Sequence, residues 1–206
     1  GLTGRDGETH HGAFDLSFLR HMPHMTVLAP SCAADLAAMI PYAISLDGPV
    51  AIRYPKNGIH TYFEKKESFQ GGKWSILSEG DRGVIFAVGR MVDRAMEAAD
   101  ILKERGIGIS VVDACVVKPM DEETLHRFTG APLWVTLEDN TVAGGFAGGV
   151  TEWLARESIH IPVRALGLPD EFVPHGAVNE LDAMLGLDAE AVADKIESAL
   201  NRVSRP

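Results

Sequence analysis

The sequence predicts an α/β fold on three observations. Short apolar runs alternate with stretches of helical spacing, Gly83 to Val88 is continuously apolar like a strand covered on both faces, and residues 25–54 read as strand, helix, strand. With 46% hydrophobic residues in a chain of 206, there is apolar surface for one or two compact domains.

The elements follow in order. Gly1, Gly4, Gly7 and Gly12 disfavour regular structure at the start and let the backbone approach a ligand closely. Phe14, Leu16, Phe18 and Leu19 then lie where a short helix, Phe14 to His21, buries them. Met25 to Ala29 is a strand that Pro30-Ser31 stops, and Ser31 is placed to cap a helix from Cys32 to Ser45. Asp47-Gly48-Pro49 turns the chain into a second strand, Val50 to Tyr54, and a crossover of helix length predicts that the two strands are parallel. Between Tyr54 and Gly72 the apolar periodicity stops, as in a linker.

Trp74 to Leu77 reads as a short edge strand and Gly83 to Val88 as a buried one. Met91 to Arg105 carries Ala95, Ala98, Ala99 and Leu102 near the helical period, with Gly106 as its stop. Ile109 to Val112 is a strand, Asp121 to Phe128 a capped helix and Leu133 to Leu137 a strand. Gly144 to Ala155 is a helix, Val163 to Leu166 a last strand and Ala189 to Leu200 a final helix. This order predicts a parallel or mixed sheet with helices on both faces. It divides into the tail of one α/β unit, residues 1–66, and a complete second unit, 67–206.

Bulk properties exclude several classes. A net charge of −10 repels a phosphate backbone, so no nucleic-acid surface is expected and an anionic substrate must be met by local cations. Cys32 and Cys115 lie far apart without metal-type spacing, which predicts buried thiols in a reducing compartment rather than a disulfide. No apolar run approaches the ~18 residues that span a bilayer, and no signal peptide opens the chain. A cytoplasmic protein with no membrane partner is the expectation.

The chemistry concentrates in the opening run Asp6-Gly-Glu-Thr-His-His-Gly12. An imidazole can pass protons or donate to a developing oxyanion, which makes His10 the first candidate for chemistry. Asp6 can accept hydrogen bonds from substrate hydroxyls or hold the loop by an Asx turn, and His11, as its neighbour, points elsewhere. Arg53-Tyr54-Pro55-Lys56 ends a strand expected to be parallel, where ligands of open α/β sheets gather, so Lys56 and Arg53 are placed to meet an anion. Glu138-Asp139-Asn140 followed by Gly144-Gly145 resembles a phosphate cradle, but G-x-G-x-x-G and the P-loop lysine are both absent, which favours close helix packing or a subunit contact. Gly167 to Gly176 reads as a rigid turn exposing His175. Neither cysteine has an activating sequence context, and no HExxH or paired CxxC points to a metal site.

Four segments carry a family resemblance: Asp6 to Arg20, Asp47 to Pro55, Val112 to Pro119 and Gly167 to Gly176. Over essentially its whole length the chain resembles the C-terminal portion of the 1-deoxy-D-xylulose-5-phosphate synthases, thiamine-diphosphate enzymes of the transketolase superfamily. The resemblance implies the C-terminal part of a pyrimidine-binding domain over 1–66 and a transketolase C-terminal-like α/β domain over 67–206. It also implies condensation of pyruvate with glyceraldehyde 3-phosphate, with loss of carbon dioxide, in isoprenoid-precursor synthesis. By motif position His10 contacts the substrate and assists proton transfer, and Asp6 binds acceptor hydroxyls. Lys56 stands where the family generally has the arginine that holds the acceptor phosphate. Lysine keeps the charge and loses the bidentate fork. No cofactor-binding residue is assigned. Thiamine diphosphate and Mg²⁺ belong to the full-length enzyme, a homodimer by resemblance. Without the missing N-terminal part this chain is expected to be inactive and to bind the cofactor poorly or not at all. The competing readings are a C-terminal subunit of a split transketolase, a 2-oxoacid dehydrogenase β subunit, and a non-catalytic dimerisation module.

Overall fold

The computed structural model describes residues 1–56 and 69–203; most of the expected linker, 57–68, lies outside the described residues. The first part contains a 3₁₀ turn at Gly4–Asp6, then α1 (Asp15–His21), β1 (Thr26–Leu28), α2 (Ala33–Ser45) and β2 (Val50–Ile52). The rest supplies β3 (Ser75–Ser78), β4 (Val84–Ala87), α3 (Met91–Glu104), β5 (Ser110–Asp113), β6 (Val116–Lys118), α4 (Glu122–Arg127) and β7 (Trp134–Thr141). It ends with α5 (Phe146–Arg156), β8 (Val163–Leu168), α6 (Val178–Leu185) and α7 (Ala189–Val203).

The strands form two sheets, β3-β5-β4-β7-β8 and β2-β1-β6. In the larger sheet β4, β5, β7 and β8 are parallel, and β3 is the edge strand that its short run predicts, paired antiparallel to β5. Alternate side chains feed two cores. Ile85, Ala87, Val135 and Leu137 face α3 and α7, whereas Val84, Phe86, Val88 and Trp134 face α5 and an aromatic group that includes Trp74 and Trp153. Burial on both faces explains why β4 reads as one continuous apolar run.

In the smaller sheet β1 and β2 are parallel, as the crossover predicts, and β6 joins β1 antiparallel. Sequence reading misses β6 because Ala114-Cys115 continues the apolar run of β5 without a turn signal. It also misses α6, whose stop is the left-handed Gly186 and whose Glu180 carboxylate accepts from the Ala177 N–H at 3.3 Å. The cap of α2 is Cys32, not Ser31: the thiol accepts from the Asp35 N–H, while the Ser31 hydroxyl donates to Asp113 at 2.6 Å and Asp35 at 3.0 Å. Asp121 caps α4 as expected, accepting from the Thr124 N–H at 3.3 Å. Both cysteines are buried and outside any disulfide. Among the described residues no helix is long and apolar enough to cross a membrane.

Candidate active site at the strand ends

The glycine-rich opening folds over the carboxyl ends of β2 and β4. Gly7, at φ +78, closes the 3₁₀ turn by donating to the Gly4 carbonyl, and a side chain there would bring its Cβ to 3.2 Å from that of His175. The His10 and His11 N–H groups then donate to the Gly7 carbonyl at 3.0 and 3.1 Å, which sets the two imidazoles apart. Together with residues 53–56 and 89–90, this loop encloses an open cleft of ≈ 340 Å³.

Two of the three residues singled out by sequence, His10 and Lys56, line that cleft, and the third is bonded to it: Lys56 donates to the Asp6 carboxylate. That hydrogen bond holds the Asp6 carboxyl below its ordinary range. Both side chains remain solvent-accessible, so an incoming ligand can compete for either. The His10 imidazole is exposed, with Nδ1 3.0 Å from the Thr9 hydroxyl. His11 is a structural tie. Its Nδ1 accepts from the Thr3 N–H at 2.9 Å, which leaves Nε2 to donate to the Pro174 carbonyl at 3.2 Å.

The cleft floor contains a group that sequence reasoning does not assemble. Arg90 donates to the Asp139 carboxylate at 2.6 and 3.0 Å and to Asp182 at 2.8 Å through two nitrogens. Burial opposes ionisation of Asp139, but the Arg90 and Arg53 guanidiniums outweigh it and hold its carboxyl well below the usual carboxylate range. Arg53 donates to the Asp139 and Gly12 carbonyls and lies 3.8 Å from Asp15. The one available signal was a Glu-Asp-Asn run ending a buried strand, an unusual place for acids.

Glu138 settles the phosphate-cradle question. Its carboxylate accepts from the Phe146 and Ala147 N–H groups at 2.7 and 2.9 Å, so the N-terminus of α5 is already capped from within the chain. Burial pushes its pKa up to about 7 against these two donors. His175 is exposed as expected. Among the described residues no three His, Cys, Asp or Glu side chains converge to hold a metal ion. Arg53 and Arg90 already have carbonyl or carboxylate partners. These two guanidiniums are therefore already engaged and are not free to seat a diphosphate.

Comparison with known proteins gives a consistent picture. Residues 72–192 match the transketolase C-terminal domain and residues 1–60 the transketolase pyrimidine-binding domain. The chain is 43% identical over 197 residues to a 1-deoxy-D-xylulose-5-phosphate synthase of Clostridium tetani, covering 95% of this chain and 32% of the relative. It is 44% identical over 204 residues to the synthase of Aquifex aeolicus, covering 97% of this chain and 32% of the relative. The chain thus spans about a third of the length of these curated relatives. A solved structure described as a split gene transketolase, inactive beta4 tetramer, superposes with a TM-score of 0.85 at 33% identity, covering 96% of this chain and 64% of that one.

Proposed function

The chain belongs to the transketolase family, homologous to the C-terminal portion of the 1-deoxy-D-xylulose-5-phosphate synthases, and from that premise we propose that it is the substrate-facing part of such a synthase. The reaction joins pyruvate to glyceraldehyde 3-phosphate: the carboxyl group leaves as carbon dioxide and a carbon–carbon bond forms to the aldehyde. The observation that carries this reading is the convergence of Asp6, His10 and Lys56 on one cleft.

Each residue has a role that its environment supports. With Nδ1 beside Thr9, the Nε2 of His10 is the atom left to give or take a proton at a substrate oxygen. Asp6, an exposed carboxylate that is ionised at neutral pH with or without Lys56 beside it, accepts from acceptor hydroxyls. The Lys56 ammonium exchanges its carboxylate partner for the acceptor phosphate. Thiamine diphosphate, on which the family depends, supplies the electron sink when bound. Among the described residues no three His, Cys, Asp or Glu side chains converge to hold its metal ion, and in this reading that seat belongs to the relatives' N-terminal region. Residues 1–66 form the active-site unit and 67–206 the second unit, and the working assembly is a homodimer that includes the relatives' N-terminal region.

The test is pyruvate consumption dependent on glyceraldehyde 3-phosphate, with thiamine diphosphate and Mg²⁺, for the chain alone and combined with that N-terminal region. Activity in the combination alone is expected. Inactivity of a folded complex would overturn the reading. The likeness to a split transketolase favours a second reading, a separate C-terminal subunit, which predicts two-carbon transfer from ketose phosphates without pyruvate.

A further inference from the structure

Resting on the synthase reading, we propose that Asp139, held by Arg90, is a positioning residue that sets the two walls of the cleft against each other. One wall is the loop bearing Asp6 and His10; the other is the segment that ends in Lys56. Both are tied to this residue. The Asp139 carboxylate accepts from the Leu2 N–H at 3.2 and 3.3 Å, and its carbonyl accepts from the Arg53 guanidinium, which also donates to the Gly12 carbonyl at 3.3 Å. Leu2 and Gly12 bracket Asp6 and His10, and Arg53 lies three residues before Lys56.

The anchor itself is rigid. Asp139 sits in β7, every residue of which is buried, and its side chain is 2% exposed. Arg90 spans Asp139 and Asp182, whose side chain is 1% exposed, so its planar fork fixes the carboxylate in both rotation and position. A buried ion pair adds little net stability over an apolar replacement. What this one supplies is geometry, in a site where a displacement of about 1 Å can cost about a hundredfold in rate.

The experiment uses the full-length enzyme that carries this chain. Asp139→Asn removes the carboxylate that holds Leu2 and Arg90 and leaves the carbonyl that Arg53 bonds, so it is expected to speed amide hydrogen exchange across residues 2–12 while leaving 53–54 and 84–87 unchanged, and to lower kcat about tenfold or more. In a His10→Asn background the same substitution is expected to change kcat by less than about twofold, because the group being positioned is gone. Arg90→Lys, which keeps the charge and loses the fork, gives the same readouts if Asp139→Asn does not fold. Arg105→Ala, which breaks surface ion pairs only, is the control that moves none of them. Unchanged exchange across residues 2–12 overturns the proposal, as does a kcat loss that persists undiminished without His10. Should the wild-type enzyme fail to condense the two substrates, the synthase reading falls and the exchange measurement decides the positioning claim by itself.

Discussion

At Glu138, desolvation wins over hydrogen bonding, and pH dependence follows. Its folded pKa of about 7 lies above the ordinary 4.5, so the folded chain holds the proton more tightly than the unfolded one. The resulting stabilisation, about 3 kcal/mol, is complete below the unfolded pKa and is lost as pH rises through about 7. Urea denaturation at pH 5 and pH 8 should show this fall in the wild type and a much flatter response in Glu138→Gln; equal slopes would contradict the assignment. His10 makes the opposite case, an exposed side chain whose loss costs the fold little. His10→Asn should leave stability within about 0.5 kcal/mol while lowering turnover on the order of 10²- to 10⁴-fold. That His10 and Lys56 would meet at one cleft was legible because one lies in the glycine-rich motif and the other follows β2, whose direction the crossover predicts. The Arg90–Asp139–Asp182 group was not, because its members are 49 and 92 residues apart and meet only when strand ends converge.

Helix α1 shows why the opening segment folds as it does. The Asn140 side-chain oxygen accepts from the Leu16 N–H at 3.0 Å, and Lys118 donates to the Arg20 and Met22 carbonyls at 2.9 and 2.6 Å. Both ends of a seven-residue helix are thus capped from the C-terminal unit, which offsets the weakness of so short a helix. Asn140→Ala should cost about 1 kcal/mol, measured by thermal denaturation, with faster amide exchange confined to α1 and its surroundings. Gly7→Ala should cost about 1–2 kcal/mol, from its left-handed backbone and its close approach to His175. The main strands and helices of the large sheet were readable from apolar runs and periodicity. Strand β6 was not, since its pairing with β1 depends on contacts remote in sequence.

Across the whole molecule, β6 completes the sheet of β1 and β2, and Asp139 near the carboxyl end of β7 lines the cleft with the glycine-rich loop. Residues of β7 are therefore part of how the glycine-rich loop and α1 keep their shape. In the proposed synthase this cleft receives a phosphorylated aldehyde, with Lys56 meeting the phosphate. The most direct measurement is kcat/KM for glyceraldehyde 3-phosphate and for unphosphorylated glyceraldehyde, in the full-length enzyme and its Lys56→Ala variant. The wild type should strongly prefer the phosphorylated aldehyde, and that preference should largely disappear in the variant through a rise in KM. An undiminished preference in Lys56→Ala would contradict it.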